Sequence, residues 1–143
     1  MQAGMEGPAR TRPFAPKASE RLLTEIVRAL RGKDIEALSE VYAEDAVLEE
    51  ISGRHPPAHP SVTSGRPAIL ERLKNEIFRD PISGWSRQLD STEILDGFET
   101  DDAVAFMELR TYEAGDQVVV QHLARKKGGL INHDRIVVAW DAE

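Results

Sequence analysis

The chain has 143 residues, no cysteine and a formal net charge of −7. That length suits one domain with a single core. The lack of cysteine excludes disulfides and thiolate metal sites and fits a reducing cytoplasm, and the acidic balance argues against a nucleic-acid groove.

No apolar run approaches the roughly 20 residues that span a bilayer, and the N-terminus lacks the apolar core of a secretory signal. Residues 1–17 carry Pro8, Pro13 and Pro16 with Arg10, Arg12 and Lys17 and little apolar content. They cannot repay their ordering entropy and are expected to form a flexible arm ahead of one domain over 18–143. From Ser19, a plausible N-cap, Leu22, Leu23, Ile26, Val27 and Leu30 fall on one helical face. Gly32 is expected to end this helix in a left-handed cap. Asp34 can cap a second helix with Ile35, Leu38, Val41 and Tyr42 as its inward stripe. Val47, Leu48 and Ile51 then suggest a short strand. The prolines and glycines of 52–66 mark a loop, and Pro67 opens a third helix with Ile69, Leu70, Leu73, Ile77 and Phe78 on its apolar face. After Trp85 the period becomes extended, giving strands over roughly 85–95, 103–112, 117–126 and 130–140, with hairpin turns at Ala114-Gly115-Asp116 and Lys127-Gly128-Gly129. Helices first and an antiparallel meander afterwards make an α+β fold.

The stretches Gly32-Lys33-Asp34-Ile35-Glu36-Ala37-Leu38 and Tyr42-Ala43-Glu44-Asp45-Ala46-Val47-Leu48 resemble the helix-turn-helix-strand entry of SnoaL-like domains, in the nuclear-transport-factor-2-like superfamily. Ser64-Gly65-Arg66-Pro67-Ala68-Ile69 looks like that family's third-helix start, and Gly128-Gly129-Leu130-Ile131 like its final hairpin. The resemblance runs from Ser19 almost to the end. It implies a cone-shaped α+β barrel, with three helices on a strongly bent, mostly antiparallel sheet around one apolar pocket. It also implies a homodimer through the outer sheet face.

Glu49 and Glu50 end the first strand and should point to opposite faces. The ketosteroid-isomerase branch keeps a carboxylate base there, and the resemblance puts Glu50 in that role, where apolar walls would raise its pKa. His122 shares a strand face with Val118, Val120 and Ala124, and the resemblance sets it near the branch's acidic hydrogen-bond donor. The isomerase tyrosine of the first helix is replaced by Ile26, which argues against a steroid isomerase. Asn132 and Asp134 should share a face with Leu130, Ile136 and Val138, making Asp134 a second acid-base candidate; an ion pair with Arg110 or Arg135 is the competing reading. Glu108 and Arg110 share a face with Phe106 and Tyr112, as an inner ion pair or an outer rim. Tyr42, Phe78, Trp85, Phe106, Asn132, His55 and His59 are the expected substrate contacts. The spacing of His55 and His59 invites a metal, but Pro56, Pro57 and Pro60 forbid the helix that would align them, so they are read as a loop over the pocket mouth without metal.

The resulting expectation is a cofactor-independent enzyme, of cyclase, isomerase or dehydratase type, acting on a hydrophobic carbonyl or polyketide-like molecule. A non-catalytic small-molecule-binding or accessory module is the alternative. Epoxide or lactone hydrolysis is a third reading, which needs Glu50, Asn132 and Asp134 all facing inward.

Overall fold

A computed structural model describes residues 13–77, 89–113 and 115–140. In chain order the elements are α1 (Arg21–Arg31), α2 (Ile35–Ser39), β1 (Tyr42–Ile51), β2 (Ser61–Ser64), α3 (Arg66–Ile77), β3 (Leu89–Glu99), β4 (Ala103–Tyr112), β5 (Gln117–Lys127) and β6 (Leu130–Trp140). The strands form one mixed, curved sheet in the order β2-β1-β6-β5-β4-β3. Only β1 and β6 run parallel; the other neighbours are antiparallel. The sheet does not close, leaving β2 and β3 as its edges, and the helices cover its inner face. No helix among the described residues is long and apolar enough to cross a membrane.

α1 buries Leu22, Leu23, Ile26, Val27, Ala29 and Leu30. At roughly 2 kcal/mol for each large apolar side chain, this face holds the helix more than propensity does. Its first turn is capped from afar. Leu23 N–H donates to Glu99 Oε1 at 2.9 Å and Glu99 N–H donates to Glu20 Oε2 at 3.0 Å, tying the helix start to the end of β3. Ser19 does not cap it; Glu20 holds the N-cap position with no side-chain cap bond. At the other end Gly32 is right-handed, and Lys33 takes the left-handed position at φ 52°, where its Nζ donates to Asp90 O at 3.1 Å. Gly97 leaves room for β4 and for α1 above it: a Cβ there would lie 2.9 Å from both Ala105 O and Phe106 Cβ of the neighbouring strand and 3.3 Å from Leu23 Cδ2 of the helix.

The second helix is shorter than its periodicity suggests. Asp34 caps it by accepting from Ala37 N–H at 3.0 Å, but it stops at Ser39 and Tyr42 already belongs to β1. The Val41 carbonyl accepts Ile131 N–H at 2.9 Å, so sheet pairing with β6 overrides the helical pattern. β1 is correspondingly long, and the loop after it contains the edge strand β2. Strands 103–112 and 130–140 fall as expected, and Gly128 and Gly129, at φ 63° and 83°, form the two-residue turn between β5 and β6. Phe14, inside the expected arm, packs against the core and its carbonyl accepts from Arg31 at 2.8 Å. Residues 1–12 lie outside the described residues.

Candidate functional site

Alternation on β4, β5 and β6 sends Phe106, Glu108, Arg110, His122, Asp134 and Ile136 to the inner face, all buried. Register then decides who meets whom. His122 stands directly between Phe106 on β4 and Ile136 on β6. Glu108 and Asp134 are each two residues further along those neighbours, on opposite diagonals from His122 and within reach of a long side chain. The imidazole bridges them: Nε2 lies 3.1 Å from Glu108 Oε1 and Nδ1 lies 3.0 Å from Asp134 Oδ2. Phe106 stacks on the ring, with centroids 4.0 Å apart and planes 14° from parallel.

The bridge extends at both ends. Tyr42 Oη donates to Asp134 Oδ2 at 2.8 Å. Arg110 Nε donates to Glu108 Oε2 at 2.8 Å, and Thr92 Oγ1 donates to the same oxygen at 3.0 Å. Burial disfavours the charged forms of His122 and Glu108, yet attraction to their neighbours outweighs it. Burial pulls the His122 pKa down, but the carboxylates of Asp134 and Glu108 raise it to about 9. Burial pushes Glu108 up, but Arg110 and His122 hold its carboxyl well below the usual range. Burial and the neighbouring Asp134 carboxylate push Tyr42 well above an ordinary phenol. Arg110 and His122 thus face the acidic side chains of Glu108 and Asp134, base opposite acid in one buried cluster.

Beside this cluster the three helices contribute Ile26 and Leu30 (α1), Leu38 (α2) and Leu73 (α3) to an apolar cavity, which Tyr42, Phe106, Glu108, Arg110 and His122 also line. Its free volume is about 20 Å³, room for one water.

The expected site residues divide. Tyr42, Phe106, His122 and Asp134 are drawn together. Glu50 is not joined to them. It lies in register with Ile136, one strand beyond His122's neighbour and about 10 Å across the sheet from that histidine. Its carboxylate pairs with Arg72 of α3, which also donates to Thr63 Oγ1 at 3.0 Å. The expected shared face of Leu130, Asn132 and Asp134 is corrected by a bulge. Arg125 pairs with His133 but Lys126 with Ile131, leaving Asn132 as the extra residue. Ile131 therefore turns inward with Asp134, both 0% exposed, and Asn132 stays half-buried outside the cavity wall. Asp134 makes no surface ion pair with Arg110 or Arg135; its partners are Tyr42 and His122. His55 and His59 lie in the loop after β1, away from the cavity wall. Phe78 and Trp85 fall outside the described residues. Thr92 was not singled out by the sequence, and the roles of Glu108 and Arg110 stayed open. The signal for all three is the pairing of β3, β4 and β5 across short turns, which aligns Thr92 with Arg110 and Phe106 with His122.

No protein-family model matches the chain, and no curated protein does. Among solved structures it is similar to a candidate ketosteroid isomerase from Kribbella flavida DSM 17836, with TM-score 0.64 and 14% identity over 87% of this chain and 80% of that one. It is similar to an NTF-2-like protein of unknown function from Burkholderia xenovorans LB400, with TM-score 0.66 and 13% identity over 86% and 84%. An LEH-like epoxide hydrolase from M. tuberculosis aligns with TM-score 0.59 and 17% identity over 85% and 82%. Likeness at such identities speaks for architecture alone, and the architecture agrees with the sheet order, the covering helices and the inner cavity described above: the chain has the nuclear-transport-factor-2-like fold, an α+β cone of the ketosteroid-isomerase-like kind.

Proposed function

We propose that this protein is a cofactor-independent enzyme, of isomerase, cyclase or dehydratase type, that moves a proton on a small neutral carbonyl or polyketide-like molecule in the inner cavity. The observation that carries the reading is the Tyr42–Asp134–His122–Glu108–Arg110 chain sealed against apolar side chains. Four buried charges are a poor way to stabilise a core that hydrocarbon could fill as well, and ionisable groups with displaced pKa values beside a cavity are what acid-base catalysis requires. In this reading Asp134, rather than Glu50, is the carboxylate base. The carbon next to the substrate carbonyl gives its proton to Tyr42 Oη while Tyr42 passes its own to Asp134 Oδ2. The electron pair of the broken C–H bond forms an enolate beside the His122 imidazolium, and the protons return along the same path. Isomerisation, aldol-type cyclisation and dehydration all pass through an enol or enolate, so one device serves each.

Deuterium uptake next to the carbonyl, followed by NMR for a panel of small ketones and 1,3-diketones in D₂O, tests this. The protein should accelerate uptake above background, Asp134→Asn should lower the rate by about 10²–10⁴-fold, and Glu50→Gln should leave it within about threefold. Wild-type rates in Asp134→Asn would move the base elsewhere. No acceleration for any compound would leave the second reading, a binding module. That reading is favoured by a specific observation: both His122 nitrogens and both Glu108 oxygens are already satisfied. Epoxide or lactone hydrolysis through Glu50, Asn132 and Asp134 is not supported, since Asn132 stands in the bulge and Glu50 on Arg72.

A homodimer through the outer sheet face belongs to the same proposal. It is supported by the exposed apolar side chains there, among them Phe98, Leu123 and Val137. A cytoplasmic setting suits a chain without cysteine.

A further inference from the structure

Glu108, Arg110 and Thr92 take no part in the proton path proposed above, yet their bonds converge on one carboxylate. Arg110 donates Nε–H to Glu108 Oε2 at 2.8 Å and Nη2–H to Oε1 at 3.3 Å, and Thr92 Oγ1 donates to Oε2 at 3.0 Å. Burial pushes the Glu108 carboxyl up, but Arg110 and His122 hold it well below the usual range, so it stays ionised. An ionised carboxylate accepts and cannot donate. Its Oε1 lies 3.1 Å from His122 Nε2, so that nitrogen has to carry a hydrogen; a bare Nε2 would set lone pair against lone pair. Phe106, stacked with its centroid 4.0 Å from that of the imidazole, keeps the ring in the plane of this bond. At the other edge Nδ1 lies 3.0 Å from Asp134 Oδ2 and 3.3 Å from Oδ1. When Oδ2 receives the Tyr42 proton, Oδ1 remains to accept from Nδ1–H.

We infer that Glu108 is a positioning residue: it fixes a hydrogen on Nε2 of His122, so that the ring can exchange a proton only at Nδ1, and proton transfer is confined to Tyr42 and Asp134. A histidine held by Asp134 alone could turn a bare Nε2 to the cavity and compete as a base. Arg110 and Thr92 act through Glu108, keeping its oxygens ionised and aimed at the ring. The catalytic purpose rests on the proton-transfer reading above; the place of the hydrogen rests on geometry. The titratable and charged groups around the ring are Glu108 and Arg110 of β4, Asp134 of β6 and Tyr42 of β1, so a titration of His122 reports on this cluster.

¹⁵N NMR of the His122 ring in the whole protein tests this, followed through its titration at about pH 9. As the imidazolium loses its proton, Nδ1 should move to the shift of a bare ring nitrogen while Nε2 keeps its hydrogen. Glu108→Gln should lower the titration by about 1–3 pH units and spread the hydrogen over both nitrogens; Glu108→Asp, which keeps the charge, should restore much of the wild-type behaviour. In the deuterium-uptake assay the alkaline limb of Glu108→Gln should fall by the same interval, whereas a merely structural role would lower the rate at every pH alike. A neutral wild-type ring with its hydrogen on Nδ1 overturns the inference, whether or not the variants fold. So does an unchanged titration in Glu108→Gln. A fixed Nε2–H without uptake for any ketone instead overturns the proton-transfer reading, and the catalytic purpose of Glu108 with it.

Discussion

The two faces of the sheet handle the same chemistry in opposite ways. On the inner face His122, its side chain 8% exposed, lies 3.0–3.1 Å from two carboxylates that are almost fully buried. On the outer face His133 lies 3.0 Å from Glu49, but its side chain is 36% exposed and Arg135, sharing the same carboxylate, is 51% exposed. The distances are alike; the solvent is not. Water screens the outer cluster to a contribution of about 1 kcal/mol or less. On the inner face neither partner can be rehydrated if the other is lost, so each group becomes a condition for the rest. Separation between charges therefore says little about their importance until burial is known.

Three measurements would break or sharpen that contrast. The largest effect is expected from Asp134→Ala, which strips partners from Tyr42 and His122 together. Urea unfolding should show a loss of about 3–5 kcal/mol; a loss under about 1 kcal/mol would put the inner cluster on a level with the outer one. A pH profile comes next. The folded pKa of His122, about 9, lies above its ordinary 6.5, so its stabilisation is complete below pH 6.5 and drains away as pH rises through 9. At about 1.4 kcal/mol per pH decade this is on the order of 3 kcal/mol. Glu108, held below its ordinary 4.5, acts in the opposite sense: its contribution is present above that pH and is lost in acid. Stability should therefore peak between about pH 4.5 and 6.5 and fall towards 9, and His122→Gln should flatten the alkaline limb; a wild-type profile flat from 6.5 to 9 would mean that the imidazole is not held as a cation. The smallest effect is expected at Glu49→Ala, under about 1 kcal/mol and smaller still in high salt. A cost matching Asp134→Ala would mean that the outer face is covered in solution.

Much of the inner cluster was legible one strand at a time. Alternation in 103–112 and 117–126 marks Glu108, Arg110 and His122 as companions of Phe106, Tyr112, Val118 and Val120, because a side-chain period of two survives any bend of the sheet. It could not mark Asp134 together with Ile131. They share a face only through the bulge at Asn132, and a bulge is a property of two paired strands rather than of one sequence. Tyr42 was misread for a similar reason. Its spacing from Ile35 and Leu38 is helical, but Ile131 N–H claims the Val41 carbonyl and pulls the following residue into β1. Glu50 had the right strand and the right face, yet nothing local announces that Arg72, more than twenty residues later on a helix, will take its carboxylate.

By itself, the sequence determined the fold class, the order of helices and strands apart from the edge strand β2, the two-glycine turn and most of the inward-facing residues. Each follows from interactions within a few residues: amphipathic period, cap, turn and pleat. The tertiary structure alone decided that His122 lies between Asp134 and Glu108, that Tyr42 completes the chain and that Glu50 stands apart with Arg72. Those outcomes depend on register across neighbouring strands and on a helix laid over the sheet, where a shift of one residue would turn every side chain to the other face.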